Sequence, residues 1–336
     1  DREPLVPVHY FENLADFSES RGGSRERLFR RAKLDLERAK AAGFVSFSEF
    51  RALMLAIAAE TGSPSFALEF GCSISPASHG MLGLAVLASD DVRQALATLV
   101  RYVRTRTPLV HVDSRSRDGS VSVRVTDAIV LGDVQRSVHE LVVSTIITAL
   151  RALTSERFRA TEIRFAFPAA SADVPHERLL LSKVRFDASV TEVRFPASAL
   201  SFAVVLADRT TARLATATLD EELAALEGRT DLRDRVRERL LRHRGALPSC
   251  AQVAHDLHTT ERTLRRHLES LGTSYAAIRE ATRRELAVHY LRDTSLSVAE
   301  IAERLGYADP SNFGAAFRRW TGGSPRGFRK KKPRGE

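Results

Sequence analysis

Arg262, Arg265 and Arg266 alternate with Leu264 and Leu268, and the four-residue leucine spacing turns both leucines to one side of a helix. The arginines then share the opposite, outer face with Glu269. A guanidinium is a planar fork of donors, suited to bidentate reading of guanine O6 and N7 or to clamping a phosphate. Thr260 and Thr263 stand in the same segment and are grouped with the arginines as DNA-contacting candidates. Glu261 is assigned to the positive end of the helix rather than to cytosine. A second set follows the same logic: Ser311, Asn312 and Ala315 on one helix face, with Arg318 and Arg319 near its end. Asn312 is a candidate for adenine or a phosphate, or else a plain helix cap.

Other chemistry is sparse. Phe70-Gly71-Cys72-Ser73 is the one stretch that hints at a nucleophile. Ser75-Pro76 follows it, which predicts a loop and removes the helix dipole that would activate the thiol. His255 and His258 are three apart, but His258 falls in a turn and no third ligand is near in sequence, so no metal site is expected. There is no P-loop, GxGxxG, HExxH or paired-carboxylate motif. No catalytic residue and no cofactor are expected. Ser75, Ser78 and His79, in a small polar loop over an apolar domain, are candidates for lining an effector pocket, the alternative being an ordinary surface loop.

The elements that carry the arginines read as helices throughout. Leu232, Val236 and Leu240 mark a first helix ended by Gly245 and Pro248. Ser249 caps Cys250–Leu257, with Cys250 assigned to the core; His258-Thr259 turns the chain, and Thr260 caps Glu261–Leu271. Helix, tight turn, helix is the spacing of a helix-turn-helix, whose second helix enters the major groove. The pattern then recurs. Ser297 caps Val298–Leu305, Gly306-Tyr307 turns, and Asp309–Trp320 forms the second candidate recognition helix with Phe313 and Phe317 inward. A long helix, Tyr275–Arg292, joins the two units, which would address successive major grooves roughly 34 Å apart.

The charge distribution supports a polyanion-binding C-terminal part. The 336-residue chain carries a net +9, yet residues 229–336 hold 23 Lys+Arg against 13 Asp+Glu, while residues 1–228 hold 28 against 29. All of the positive excess therefore sits in the last third, including the basic run Arg329–Arg334. We assign residues 1–228 to an effector-binding and dimerisation domain with its connector, and 229–336 to the DNA-binding domain. Cys72 and Cys250 are too few for a disulfide scaffold and fit a reducing compartment. Leu141–Leu153, the longest apolar run, is interrupted by polar residues and falls short of the about 20 apolar residues that span a bilayer. The chain opens at Asp1 without methionine, which suggests an upstream segment was removed, and Asp1–Phe17 does not read as a signal peptide. The cytoplasm is the expected compartment, with no membrane partner.

The N-terminal part reads as α+β, with an antiparallel sheet and helices. Helices are predicted over Ser24–Leu36, Ser48–Thr61, Asp90–Arg104 behind a Ser89 cap, and Asp133–Leu153, the longest of this half. Gly71–Gly83 reads as a loop. Strands Leu109–Ser114 and Ser120–Thr126 flank Asp118-Gly119, a strong hairpin signal. Further strands are expected at Thr161–Phe167, Val184–Phe186 and Glu192–Phe195, and Asp220–Leu226 begins a helical connector.

The run Ile301-Ala302-x-x-Leu305-Gly306-Tyr307-x-Asp309-x-Ser311-x-Phe313-x-x-x-Phe317-Arg318-Arg319, followed by Gly322, Gly323 and Pro325, resembles the signature of AraC/XylS transcriptional regulators. Leu257-x-x-Thr260-x-Arg262-Thr263-Leu264-x-Arg266-x-Leu268 is similar to their first helix-turn-helix. Gly80-x-Leu82-Gly83-x-Ala85, then Ser89, Ala95-Leu96, Leu99 and Arg101-Tyr102, resembles the arabinose-binding-type effector domain of one branch. The resemblance implies a seven-helix DNA-binding domain, double-stranded promoter DNA as partner, a small-molecule effector, a homodimer, and RNA polymerase as a further partner if the protein is an activator. Two positions depart from the pattern. His258 stands where a turn glycine is usual, and Gly314 and Ala315 stand where many members carry longer polar side chains. Candidate dimer seams are the helices Asp90–Arg104 and Asp133–Leu153. Two alternatives stay open: an enzyme-like N-terminal domain using Cys72, and a ligand-independent DNA-binding dimer.

Overall fold

The computed structural model describes residues 5–169, 176–229, 231–242, 247–294 and 296–330. They divide into two compact units, one drawn from Asp1–Thr126 and Val134–Leu226, the other from Asp127–Asp133 and Glu227–Glu336.

In the first unit, β1 (Leu5–Pro7) pairs antiparallel with β2 (Phe44–Ser46), and α1 (His9–Ser20), α2 (Arg25–Ala32) and α3 (Leu36–Ala42) lie between them in sequence. The helix expected over 24–36 is in fact two. Lys33 turns left-handed at φ 54°, ending α2, and Asp35 caps α3 by accepting from the Arg38 N–H at 3.0 Å. Ser46 and Glu49 form a reciprocal capping box at the head of α4 (Phe47–Thr61), so the cap is Ser46 and not a residue within the helix.

The stretch 71–83 is not a loop. It comprises the end of α5 (Phe66–Ser73), a short 3-10 turn at Pro76–His79, and the start of α6 (Gly80–Leu87). Its glycines serve close packing. A Cβ on Gly71 would meet the Ser144 hydroxyl and lie 2.8 Å from the Leu141 carbonyl oxygen, and one on Gly83 would strike the Pro76 carbonyl. α7 (Val92–Tyr102) is capped by Asp91, which accepts from the Gln94 N–H at 2.8 Å; the Ser89 hydroxyl donates instead to the Ala85 carbonyl at 2.9 Å.

β3 (Val110–Arg117) and β4 (Ser120–Asp127) form the expected hairpin. Asp118 and Gly119 both have positive φ, 50° and 73°, the backbone that a two-residue type I′ turn requires. α8 (Gln135–Leu153) follows, then β5 (Glu162–Arg164), α9 (His176–Leu180), β6 (Lys183–Arg185) and β7 (Thr191–Pro196). The five strands lie in the order β3-β4-β7-β5-β6. β7 pairs antiparallel with β4 and β5, whereas β5 and β6 run parallel, so the sheet is mixed at one edge. β5 is shorter than expected: past Arg164 the pairing becomes irregular, with Phe165 N–H donating to the Arg185 carbonyl at 2.8 Å and the Phe165 carbonyl accepting from Ala188 N–H at 3.0 Å, while the Phe165 and Phe167 rings stack at 4.8 Å. α10 (Arg209–Arg229) begins at Asp208, which accepts from the Thr211 N–H at 2.6 Å, well before the expected Asp220. At 21 residues it is longer than the 19-residue α8.

α8 is the spine of this unit. It packs along α5, and Val143, Ile146, Ile147 and Leu150 are buried, leaving Ala152 as its exposed residue. Most of its apolar surface is covered within its own unit, with Leu141, Val142 and Ala149 partly exposed. Among the described residues no single helix is long and apolar enough to cross a membrane.

The second unit is helical: α11 (Leu232–Arg242), α12 (Cys250–Asp256), α13 (Glu261–Ser270), α14 (Tyr275–Asp293), α15 (Val298–Arg304), α16 (Pro310–Thr321) and α17 (Pro325–Lys330). Gly245 and residues 331–334 of the basic run lie outside the described residues. Two small cores sit along α14. Val236, Leu240, Val253, Leu264 and Leu268 form the first; Leu291, Ile301, Leu305, Phe313 and Phe317 form the second. Leu286 packs against both.

Candidate DNA-binding surface and effector cavity

Each half of the second unit is a helix, a left-handed turn and a second helix, held by the same devices. Ser249 and Ser297 form capping boxes with Gln252 and Glu300 at the heads of α12 and α15. The turns reverse at His258, φ 53°, and at Gly306, φ 74°. His258 therefore does occupy a glycine-type backbone position, and Thr259 N–H closes the turn on the Ala254 carbonyl at 2.9 Å. Thr260 and Asp309 then cap α13 and α16.

α13 buries Leu264 and Leu268 and exposes Arg262, Arg265 and Arg266, with Thr263 half-buried. Arg265 donates to Glu261 at 3.0 Å, whereas among the described residues Arg262 and Arg266 have no ion-pair partner. Each guanidinium is a planar fork of donors, the geometry that complements phosphate or guanine O6 and N7. Cys250 lies beneath this helix, buried at 6% exposure, with its thiol pushed up by burial.

α16 presents Ser311, Asn312, Ala315, Arg318 and Arg319, all exposed. Its polar groups are largely engaged. Asn312 donates through Nδ2 to Asp309 at 2.8 Å, and the Asp309 carboxyl, held below the usual carboxylate range by the Asn312 and Ser311 N–H groups, is the helix cap. Arg319 pairs with Glu280 of α14 at 3.0 Å, sharing that carboxylate with the Trp320 indole at 2.8 Å. Arg283 of α14 lies over the Tyr307 ring at 4.9 Å. These contacts fix the second recognition helix on α14, and they went unnoticed in the sequence because Glu280 and Arg283 have the spacing of an ordinary solvated helix face.

The first unit contains a cavity of about 120 Å³ walled by α1, α5, α6, α7 and α8. Leu96, Leu99, Leu141, Val142 and Ile146 line it, with Tyr10, His79, Arg106, Thr107 and Thr145 as the polar groups. Of the effector candidates only His79 lines it; Ser75 caps the short 3-10 turn, and Ser78 lies within that turn outside the cavity. Tyr10 and His79 share a 2.6 Å hydrogen bond. Burial, helped by His9 and Arg106, pushes the His79 imidazole down to about 4, so it is neutral at pH 7. Arg106 follows α7 with its side chain 13% exposed and pairs with Glu222 of α10 at 2.7 Å. Sequence spacing missed Tyr10, Arg106 and Glu222, which come together only through the packing of distant segments.

Cys72 sits on α5, not on a strand-to-helix elbow. Burial pushes its thiol up, and it faces the Leu179 carbonyl at 3.9 Å. Among the described residues no group of three or more His, Cys, Asp or Glu could hold a metal ion.

A mixed α/β unit with an internal cavity, followed by a helical unit carrying two helix-turn-helix pairs, defines a DNA-binding transcriptional regulator. The family model for the arabinose-binding domain of AraC transcription regulators matches residues 22–204, and a helix-turn-helix domain model matches residues 253–331. The chain belongs to the AraC family of transcriptional regulators. It is 32% identical over 326 residues to the ornithine utilization regulator of Pseudomonas aeruginosa, covering 97% of this chain and 96% of that protein. It is 27% identical over 293 residues to the regulator VirS of Mycobacterium tuberculosis, 85% of this chain and 84% of that one. The crystal structure of the regulator CdpR from Pseudomonas aeruginosa is similar over 96% of this chain and 98% of its own, with a TM-score of 0.46 and 24% identity.

Proposed function

We propose that residues 1–228 bind a small-molecule effector and pair two copies of the chain, and that residues 229–336 bind double-stranded promoter DNA through α13 and α16. The observation that carries this reading is α13: an exposed face with Arg262 and Arg266 unpaired, backed by Leu264 and Leu268. Arg262, Arg265 and Arg266, with Thr260 and Thr263, are the principal base and phosphate contacts. Ser311, Asn312, Arg318 and Arg319 are the weaker set, because Asn312 and Arg319 already have partners within the domain. His79 lines the effector cavity. The homodimer forms through the first unit, where Val205, Leu206 and Leu214 stand 58%, 65% and 66% exposed. The chain acts in the cytoplasm as a regulator and not as an enzyme; for the Cys72 alternative, burial pushes that thiol above its ordinary range, away from the thiolate a nucleophile needs. An activator would also touch RNA polymerase.

The test is selection of bound duplexes from a random library by the full chain, then anisotropy titration and light scattering of the selected complex. A duplex with half-sites spaced by about one helical turn, bound by a dimer, is expected. Binding that is independent of sequence, or a monomer at tens of micromolar with and without DNA, would count against it.

A further inference from the structure

We propose that the effector of this protein is an apolar carboxylate, a small aromatic or short aliphatic body bearing one carboxylate that pairs with Arg106 in place of Glu222. The proposal rests on reading the cavity as the effector site, and it narrows the ligand by chemistry.

The walls exclude most alternatives. Nearly all of the lining is aliphatic or aromatic, and a polyhydroxylated sugar would bury hydroxyls against leucine and valine without partners, each at a cost. A cavity of about 120 Å³ is close to the roughly 150 Å³ that accepts a benzene ring, which sets the size of the apolar body.

The head group is read from two polar atoms. The Arg106 Nε and the His79 Nε2 are buried and have no hydrogen-bond partner. Nε2 carries the ring proton in the tautomer whose Nδ1 accepts from the Tyr10 hydroxyl, and in that tautomer both orphaned atoms are donors. Buried donors without acceptors are rare in native proteins and call for one. Arg106 is the charged side chain among the lining residues, and its guanidinium lies beside Gly80, where a Cβ would be 3.8 Å from it. Burial and Arg106 itself lower the affinity of His79 and His9 for a proton, so the local charge is positive, and Glu222 is the carboxylate paired with Arg106 among the described residues. A carboxylate satisfies this set; an ammonium meets a cation.

Glu222 makes the site responsive. It lies on α10, the helix by which the chain leaves the first unit, and its side chain is 35% exposed. Glu222 holds Nη2 alone, at 2.7 and 3.1 Å, and leaves Nε open; a ligand carboxylate that takes Nε and Nη2 as a bidentate pair needs that same Nη2, so ligand and Glu222 compete for it. Arg101 and Tyr102 hold Asp220 two residues earlier, at 2.8 and 2.7 Å, and keep the helix in place while Glu222 exchanges.

The test is calorimetry of the full chain with straight-chain and phenyl-substituted carboxylates, the matching primary alcohols, L-arabinose and a basic amino acid. Carboxylates are expected to bind, about fourfold tighter per added methylene until the cavity fills. The alcohol of equal length should bind at least about tenfold more weakly, as loss of a charge-assisted pair implies. Arg106→Gln should erase the preference for carboxylate while alcohols bind as before, and Glu222→Gln should tighten carboxylates alone. Retained alcohol binding shows that the Arg106 variant is folded. Equal affinity for carboxylate and alcohol overturns the proposal, as does binding of the sugar or the amino acid in place of both; in that last case the cavity is still the effector site. No binding by any of the four classes overturns both the proposal and that reading.

Discussion

Replacing Arg262 with alanine separates base reading from phosphate clamping. In the free protein Arg262 is exposed on α13, and its guanidinium has no ion-pair partner among the described residues, so the substitution breaks nothing within the fold. Any loss is then a loss of DNA contact. A bidentate guanine pair contributes about 1–3 kcal/mol of discrimination, which corresponds to about 5–150-fold in affinity for the selected duplex. Against a duplex with that base pair exchanged, the variant and the parent should bind alike. The slope of log affinity on log salt should stay constant, because no phosphate is released; a lost phosphate contact would instead flatten it by about 0.9. Arg265→Ala should cost less than Arg262→Ala, since Arg265 must first leave Glu261, 3.0 Å away, before it can reach the DNA. The assay is fluorescence anisotropy with the selected duplex and its single-base variants at two salt concentrations. An equal loss on every duplex, together with a flatter salt slope, would make Arg262 a phosphate clamp and refute the assignment. A larger change of specificity from Asn312→Ala than from Arg262→Ala and Arg265→Ala together would make the second unit the principal reader.

Gly71→Ala should destabilise the first unit by about 1–3 kcal/mol in urea unfolding, because the new methyl meets the Ser144 hydroxyl and the Leu141 carbonyl where α5 crosses α8. His258→Gly should raise the stability of the DNA-binding unit by up to about 1 kcal/mol, as relief of a left-handed side chain exceeds the entropy glycine adds to the unfolded chain, with the DNA selected unchanged. Stability should fall as pH drops from 6.5 towards about 4, since the unfolded chain takes up a proton that folded His79 refuses; His79→Gln should lessen that fall in denaturant titrations at pH 7 and pH 5, and an unchanged pH dependence would count against a neutral, buried His79.

The parts of the fold legible in sequence are those set by neighbours along the chain. Asp118-Gly119 specifies its own turn, because both residues tolerate positive φ and the flanking valines alternate. Ser249, Thr260, Ser297 and Asp309 each announce a helix start within three residues, and the leucine and phenylalanine spacing behind them fixes which face turns inward. Both recognition helices could therefore be placed within a residue or two of their ends. Whether their polar groups were free could not, because Glu280 reaches Arg319 and Trp320 from another helix.

The stretch 71–83 is helical against its composition, for a physical reason that also explains the cavity. Glycine, serine and proline in close succession usually mark a loop, since glycine weakens a helix by about 1 kcal/mol and proline ends one. Here Gly71 and Gly83 lie within helices because another backbone passes where their Cβ would be: α8 against Gly71, and the Pro76 carbonyl against Gly83. The helical propensity they sacrifice is offset by the close approach of α5 to α8, which buries Val143 and Ile147. The same approach brings α6 and the Pro76–His79 turn to one side of the cavity and carries His79 to Tyr10. The residues that look most like a loop thus build one wall of the cavity. Local composition cannot reveal this, because the cost of each glycine is local, whereas the contact that compensates Gly71 comes from Leu141 and Ser144, some seventy positions away, and the contact at Gly83 from a turn that forms only in the packed unit.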